Sequence, residues 1–88
     1  MKNEIQGYVM GTTEVHSNKT GKDYTKVNLV LEGEFVGFFL PAEKGRKIAA
    51  SKPVVECIKS GSPKSCKVIL ETKFTQRGIF TDLVGIGE

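Results

Sequence analysis

Three short stretches of this sequence set cations beside residues that a flat, charged polymer could use. Lys19-Thr20-Gly21-Lys22-Asp23-Tyr24-Thr25-Lys26 places three lysines around one tyrosine at a turn. Lys73-Phe74-Thr75-Gln76-Arg77-Gly78-Ile79-Phe80 joins two cations to two phenylalanines at a second turn. Lys44-Gly45-Arg46-Lys47 is basic without a neighbouring ring. Rings on strands with flanking cations suit single-stranded nucleic acid, because bases stack on aromatic faces for about 1–3 kcal/mol each while Lys and Arg follow the phosphates. The candidate contacts are therefore Lys19, Lys22, Tyr24 and Lys26 at the first turn and Lys73, Arg77 and Phe80 at the second, with Arg46 and Lys47 in addition. Tyr24 serves either as a stacking ring or as a core cap with its hydroxyl in water. Phe74 shares the parity of Val68 and Leu70, which assigns it to the core. Lys44, Arg46 and Lys47 also fit an ordinary solvated surface.

Other chemistry lacks its parts. His16 is the single histidine, Asp23 and Asp82 are the sole aspartates, and no nucleophile frame such as Gly-x-Ser-x-Gly occurs. Gly21-Lys22 resembles the end of a phosphate-binding loop without its upstream glycine or following Ser/Thr. Glu32 and Glu34 flank a turn as solvated charges. A structural zinc site wants four ligands, and only Cys57, Cys66 and His16 are on offer. These absences point to a binding protein with no catalytic residues, cofactor, metal or small-molecule substrate.

The elements that must carry these residues are strands. Apolar residues recur mostly with period two. Ile5 to Val15 is a first strand in which Gly7 and Gly11 permit a bend or bulge. Ser17 to Asp23 is a polar turn. Tyr24 to Leu31 is the clearest strand, with Val27, Leu29 and Leu31 on one face and Tyr24, Lys26, Asn28 and Val30 on the other. Glu32-Gly33-Glu34 turns into Phe35 to Leu40, a run read as core and dimer contact with some rings on the opposite face. Ala42 to Lys52 is the only expected helix, weakened by Gly45. A strand over Val54, Val55, Cys57 and Ile58 follows Pro53. Lys67 to Thr75 and Ile79 to Ile86 complete the chain. The expected fold is all-β: a five-stranded Greek-key barrel of the OB type with one short helix between strands three and four. An SH3-like barrel is the alternative.

Eighty-eight residues make one domain, spanning 1–88, with a thin core. A net charge of +3 decides little about partners. No stretch approaches the roughly 18 apolar residues of a membrane span, and the N-terminus lacks the apolar run of a secretion signal. The expectation is a cytoplasmic protein without a membrane partner. If Cys57 and Cys66 flank a hairpin centred near Gly61 and Ser62, they face each other and a disulfide is geometrically open. A cytoplasmic setting favours reduced thiols.

At the first turn, Gly21-Lys22-Asp23-Tyr24 leading into Thr25–Leu31 resembles the Gly-Lys-x-Tyr hairpin of the filamentous-phage single-stranded DNA-binding proteins, the gene V protein group. Lys67 to Ile86, with Phe74, Arg77-Gly78 and Phe80, is similar to that family's basic and aromatic hairpin. Pro41 to Pro63 departs from the pattern by being longer and carrying the expected helix. The resemblance implies a small OB-fold homodimer that coats single-stranded DNA during phage DNA replication in the host cytoplasm. It would make Tyr24 the stacking ring, put Lys22 on phosphate, and give Arg77 and Phe80 supporting roles. Two other readings stay open: an RNA-binding OB domain, and a protein-interaction module that pairs through an exposed strand edge.

Overall fold

The period-two pattern of Asp23–Leu31 sets the frame. In the computed structural model, which describes residues 2–88, Thr25, Val27 and Leu29 are buried along this strand while Tyr24, Lys26, Asn28 and Val30 point to the other face. Five strands form around it: β1 (Lys2–His16), β2 (Asp23–Leu31), β3 (Glu34–Pro41), β4 (Lys64–Thr75) and β5 (Gly78–Gly87). They make one antiparallel sheet in the order β3-β2-β1-β4-β5, curled into a half-barrel whose edges are β3 and β5. The five antiparallel strands agree with the expected all-β, barrel-like architecture, with the sheet left open between β3 and β5.

β1 reaches both wings because it changes phase. The β1–β2 register shifts between Val9 and Gly11, and Gly11 sits at a φ of 144°, a backbone angle that few residues other than glycine adopt. Core-facing positions run through Gly7 and Val9 before the bulge and Thr12 after it, as their partners Leu31, Leu29 and Val27 show. The β2–β3 connection is a two-residue turn at Glu32 and Gly33, with φ of 51° and 81°. Positive φ at both central residues matches the twist of the strands it joins.

Two helices, not one, lie between β3 and β4: α1 (Ala42–Ala49) and α2 (Lys52–Ser60). The strand expected over Val54–Ile58 is helical. Pro53 stands in the first turn, where its missing N–H breaks no helical bond. Val54 and Cys57, three apart, are buried, and Gly61 closes the helix at a φ of 69°. The β-branched pair Val54-Val55 imitates a strand, but tertiary packing overrides that propensity. The stretch Ser60–Ser65 is therefore a helix-to-strand connection, and no hairpin sets Cys57 opposite Cys66.

Both cysteines are buried free thiols, one on α2 and one on β4. The Cys57 thiol donates to the Val9 carbonyl at 3.4 Å. Burial pushes the Cys66 thiol pKa up, partly offset by its hydrogen bond with the Val9 backbone.

The helices cover one face of the sheet. α1 packs on β2 and β3, and α2 on β1, β4 and β5. Gly45, which weakens α1 as a helix, is its point of closest approach to the sheet. A Cβ there would collide with the side chain of the buried Thr25. The core is Val9, Val27, Leu29 and Leu40 on one wing and Cys66, Val68, Leu70, Leu83 and Ile86 on the other, closed by Ile48, Val54 and Cys57. Among the described residues no helix is long and apolar enough to cross a membrane.

Candidate nucleic-acid interface

The helix-free face of β1, β2 and β3 follows from register, since residues directly paired across antiparallel strands share a face. Four cross-strand rows run over it: Pro41–Tyr24–Val15, Phe39–Lys26–Thr13, Gly37–Asn28–Gly11 and Phe35–Val30–Tyr8. These positions carry four aromatic rings, one lysine and no carboxylate. Phe35 is 83% exposed, Phe39 60% and Tyr8 51%. Soluble domains rarely leave large rings this exposed, which makes this face the candidate surface.

Lys26 joins the rows. Its Nζ lies 5.6 Å from the centroid of the Phe39 ring, within reach of a cation–π contact. The geometry needs Gly37, because a Cβ there would meet Lys26 Cε at 2.6 Å. The stem crosses β3 where that strand has no side chain. Asn28 donates from Nδ2 to Thr13 Oγ1 at 3.3 Å. One shallow recess lies among Val15, Ser17, Tyr24 and Phe39, and a second among Met10, Lys26, Asn28, Phe35 and Gly37.

The β1–β2 turn extends this face. The Ser17 N–H donates to the Lys22 carbonyl at 2.9 Å and the Gly21 N–H to the Ser17 carbonyl at 2.8 Å, with Gly21 at a φ of 69°. Lys19 and Lys22 stand exposed on this tight loop. Asp23 is tied to His16, Oδ1 to Nδ1, at 2.7 Å. Lys19, Lys22, Tyr24 and Lys26 thus form one continuous group.

The remaining residues nominated from the sequence lie elsewhere. Lys2 pairs with Glu71, so the β4–β5 tip projects past the N-terminal end of β1, while the β1–β2 tip lies past its C-terminal end at His16. Arg77 and Phe80 are exposed on that far hairpin. Lys73, opposite Phe80, sits 3.6 Å from Glu71 Oε1 and 3.8 Å from Asp82 Oδ2, so its charge is locally compensated. Phe74 is no core residue: it is 69% exposed beside Ile79 at 67%, because the hairpin runs out beyond the helices. Lys44, Arg46 and Lys47 are exposed on α1, which packs against the Thr25 side of β2, the face opposite to Tyr24 and Lys26.

Phe39, Phe35, Tyr8 and Asn28 were not among the nominated contacts. The Phe35–Leu40 run divides by parity: Val36, Phe38 and Leu40 turn to the helix side, with Phe38 and Leu40 packed on the core, while Phe35 and Phe39 turn outward. The signal was present in the alternation: the strand that buries Leu40 must turn Phe39 outward, opposite Lys26. Among the described residues no group of three His, Cys, Asp or Glu side chains could hold a metal ion. In comparisons with known proteins the chain matches no protein-family model, no curated protein and no solved structure.

Proposed function

We propose that this protein binds single-stranded DNA with little sequence preference, stacking bases on the outer face of β1, β2 and β3 and meeting phosphates with Lys19, Lys22 and Lys26. The observation that carries the reading is the group of exposed Phe35 and Phe39 with half-buried Tyr24 and Lys26, in four cross-strand rows that hold no carboxylate. Stacking is sequence-tolerant because every base has a π-face. The strand order, with β1 central and the helices between β3 and β4, agrees with an OB fold whose β3–β5 seam is open. OB folds bind oligonucleotides on the face of their second and third strands and on the loops between strands one and two and four and five. Those are the elements that carry Tyr24, Lys26 and Phe39, and the two basic hairpins. A role in coating single-stranded DNA during phage replication in a host cytoplasm extends the gene V-like resemblance. A homodimer fits the same reading, but with Phe35 and Phe39 assigned to bases the dimer contact expected at that run moves to the exposed Phe74 and Ile79.

The test is fluorescence anisotropy with a labelled single-stranded oligonucleotide at several salt concentrations, with duplex DNA and the matched RNA strand as competitors. Affinity should fall linearly in log–log form with salt, and Tyr24→Ala should weaken it by about 1–3 kcal/mol while the fold persists. Weak binding without salt dependence would end the proposal, and preference for RNA would redirect it.

A further inference from the structure

The Gly37–Asn28–Gly11 row is a gap in an otherwise ringed surface, and its one side chain is an amide. Gly11 leaves open space above β1: a Cβ there would meet nothing within 4 Å. Over Gly37 only the flat stem of Lys26 intervenes. A recess of about 330 Å³ lies on the β2–β3 side of this row, lined by Met10, Lys26, Asn28, Phe35 and Gly37 with Leu29 and Val36. Thr13 holds one N–H of the Asn28 amide, fixing the amide on the face. An amide carries two donors and an acceptor, so a carbonyl oxygen and a second N–H remain, a donor beside an acceptor.

We propose that this recess receives one nucleobase of the bound strand, its ring against Phe35 and its Watson–Crick edge hydrogen-bonded to Asn28. The inference rests on the single-stranded DNA reading above. The amide matches more than one base. Thymine offers N3–H beside O4, cytosine N4–H beside N3, adenine N6–H beside N1 and guanine N1–H beside O6. Each is a donor next to an acceptor, the complement of the free edge of the amide once the base turns the matching face toward Phe35. Asn28 therefore reads the presence of an unpaired base edge and not its identity. Duplex DNA, whose Watson–Crick edges are occupied, is refused at this position, which adds to the refusal that stacked duplex bases already meet at the rings. Lys26 Nζ, over Gly37 and 5.6 Å from the Phe39 ring centroid, would meet the phosphate of the same nucleotide.

The experiment compares oligothymidylate, the same strand with N3-methylthymine in place of thymine, and an abasic strand of equal length. Each is titrated against the wild type, Asn28→Ala and Asn28→Thr, after thermal unfolding has shown that the variants fold. The methyl group removes the N3–H donor and leaves the ring and the phosphates. Wild type should lose about three- to tenfold in affinity on methylation, the value of one neutral hydrogen bond. Both variants should lose a similar factor on plain thymine and show no further loss on the methylated strand. Equal wild-type affinity for the two thymine strands overturns the inference, as does a methylation penalty that survives in both variants. In those cases a retained salt dependence on every strand leaves the single-stranded DNA reading standing. If no strand binds with salt dependence, both fall together.

Discussion

Phe39→Ala separates a stacking surface from a merely exposed ring. Phe39 is 60% exposed, so roughly 40% of it contacts the protein, mainly across β2. Full burial of a phenylalanine stabilises by about 1.5–3 kcal/mol, so truncation should cost about 1 kcal/mol of stability and lower Tm by about 4–8 °C. The contact with Lys26 exists in the free protein and adds little to the difference on binding. Loss of one stacked base should cost about 1–3 kcal/mol of affinity, a factor of about 5 to 150. Phe38→Ala is the internal control, since Phe38 is the next residue on the same strand but packs against the core. It should destabilise more, by about 2–3 kcal/mol, and leave affinity unchanged while folded. Anisotropy titration at a fixed, moderate salt concentration, with melting curves for both variants, reads the two effects. If folded Phe39→Ala binds as wild type does, the stacking assignment of this face is refuted. Equal affinity losses in both variants would point instead to general loosening of β3.

Gly45→Ala should destabilise despite a helix-propensity gain of about 1 kcal/mol, because the new methyl collides with the buried, branched Thr25 and overpacking typically costs about 1–3 kcal/mol. A raised Tm for this variant would show that α1 has room above β2. Cys66 sets an alkaline limit: its folded pKa is raised, chiefly by burial, so its contribution is present below the unfolded thiol value of about 8.5 and is lost as pH rises from there through the folded value. Urea midpoints should fall across that window in wild type and less steeply in Cys66→Ala, and parallel profiles would remove Cys66 as the cause.

The sheet was legible in the sequence wherever one face is buried and the other wet. β2 shows this in full, from Thr25 to Val30. The turn at Glu32-Gly33 and the bend at Gly11 were legible because glycine relieves positive φ at small cost. Lys52–Ser60 was not legible as a helix, since Val54, Val55, Cys57 and Ile58 have strand-like types. Only the spacing of the buried pair Val54 and Cys57, fixed by packing on β1 and β4, distinguishes a helix. The site was half legible. The group from Lys19 to Lys26 is local and could be read along the chain. The Phe39–Lys26 contact and the Asn28 row depend on the register across β2 and β3, which is a long-range property of the hairpin.

Register also decides which cations can share one strand of nucleic acid, and salt dependence can count them. A strand following the outer face meets Lys19 and Lys22 at one end and Lys26 in the middle, and reaches Arg77 if it continues to the far hairpin. Lys73 contributes little, because Glu71 and Asp82 already surround it. Four neutralised phosphates give a slope of log affinity against log salt of about −3 per protomer. Lys44, Arg46 and Lys47 lie behind the β3 edge on the helix layer, so a strand would have to wrap over that edge to add them. The slope would then steepen to about −5. Removing the three α1 cations together should leave both slope and affinity unchanged, whereas Lys19→Ala with Lys22→Ala should make the slope shallower by about 1.4. The opposite pattern would move the path to α1 and strip the aromatic face of its role. An edge strand with exposed rings on one side and cations on the layer behind it makes that alternative physically real, which is why the count is worth measuring.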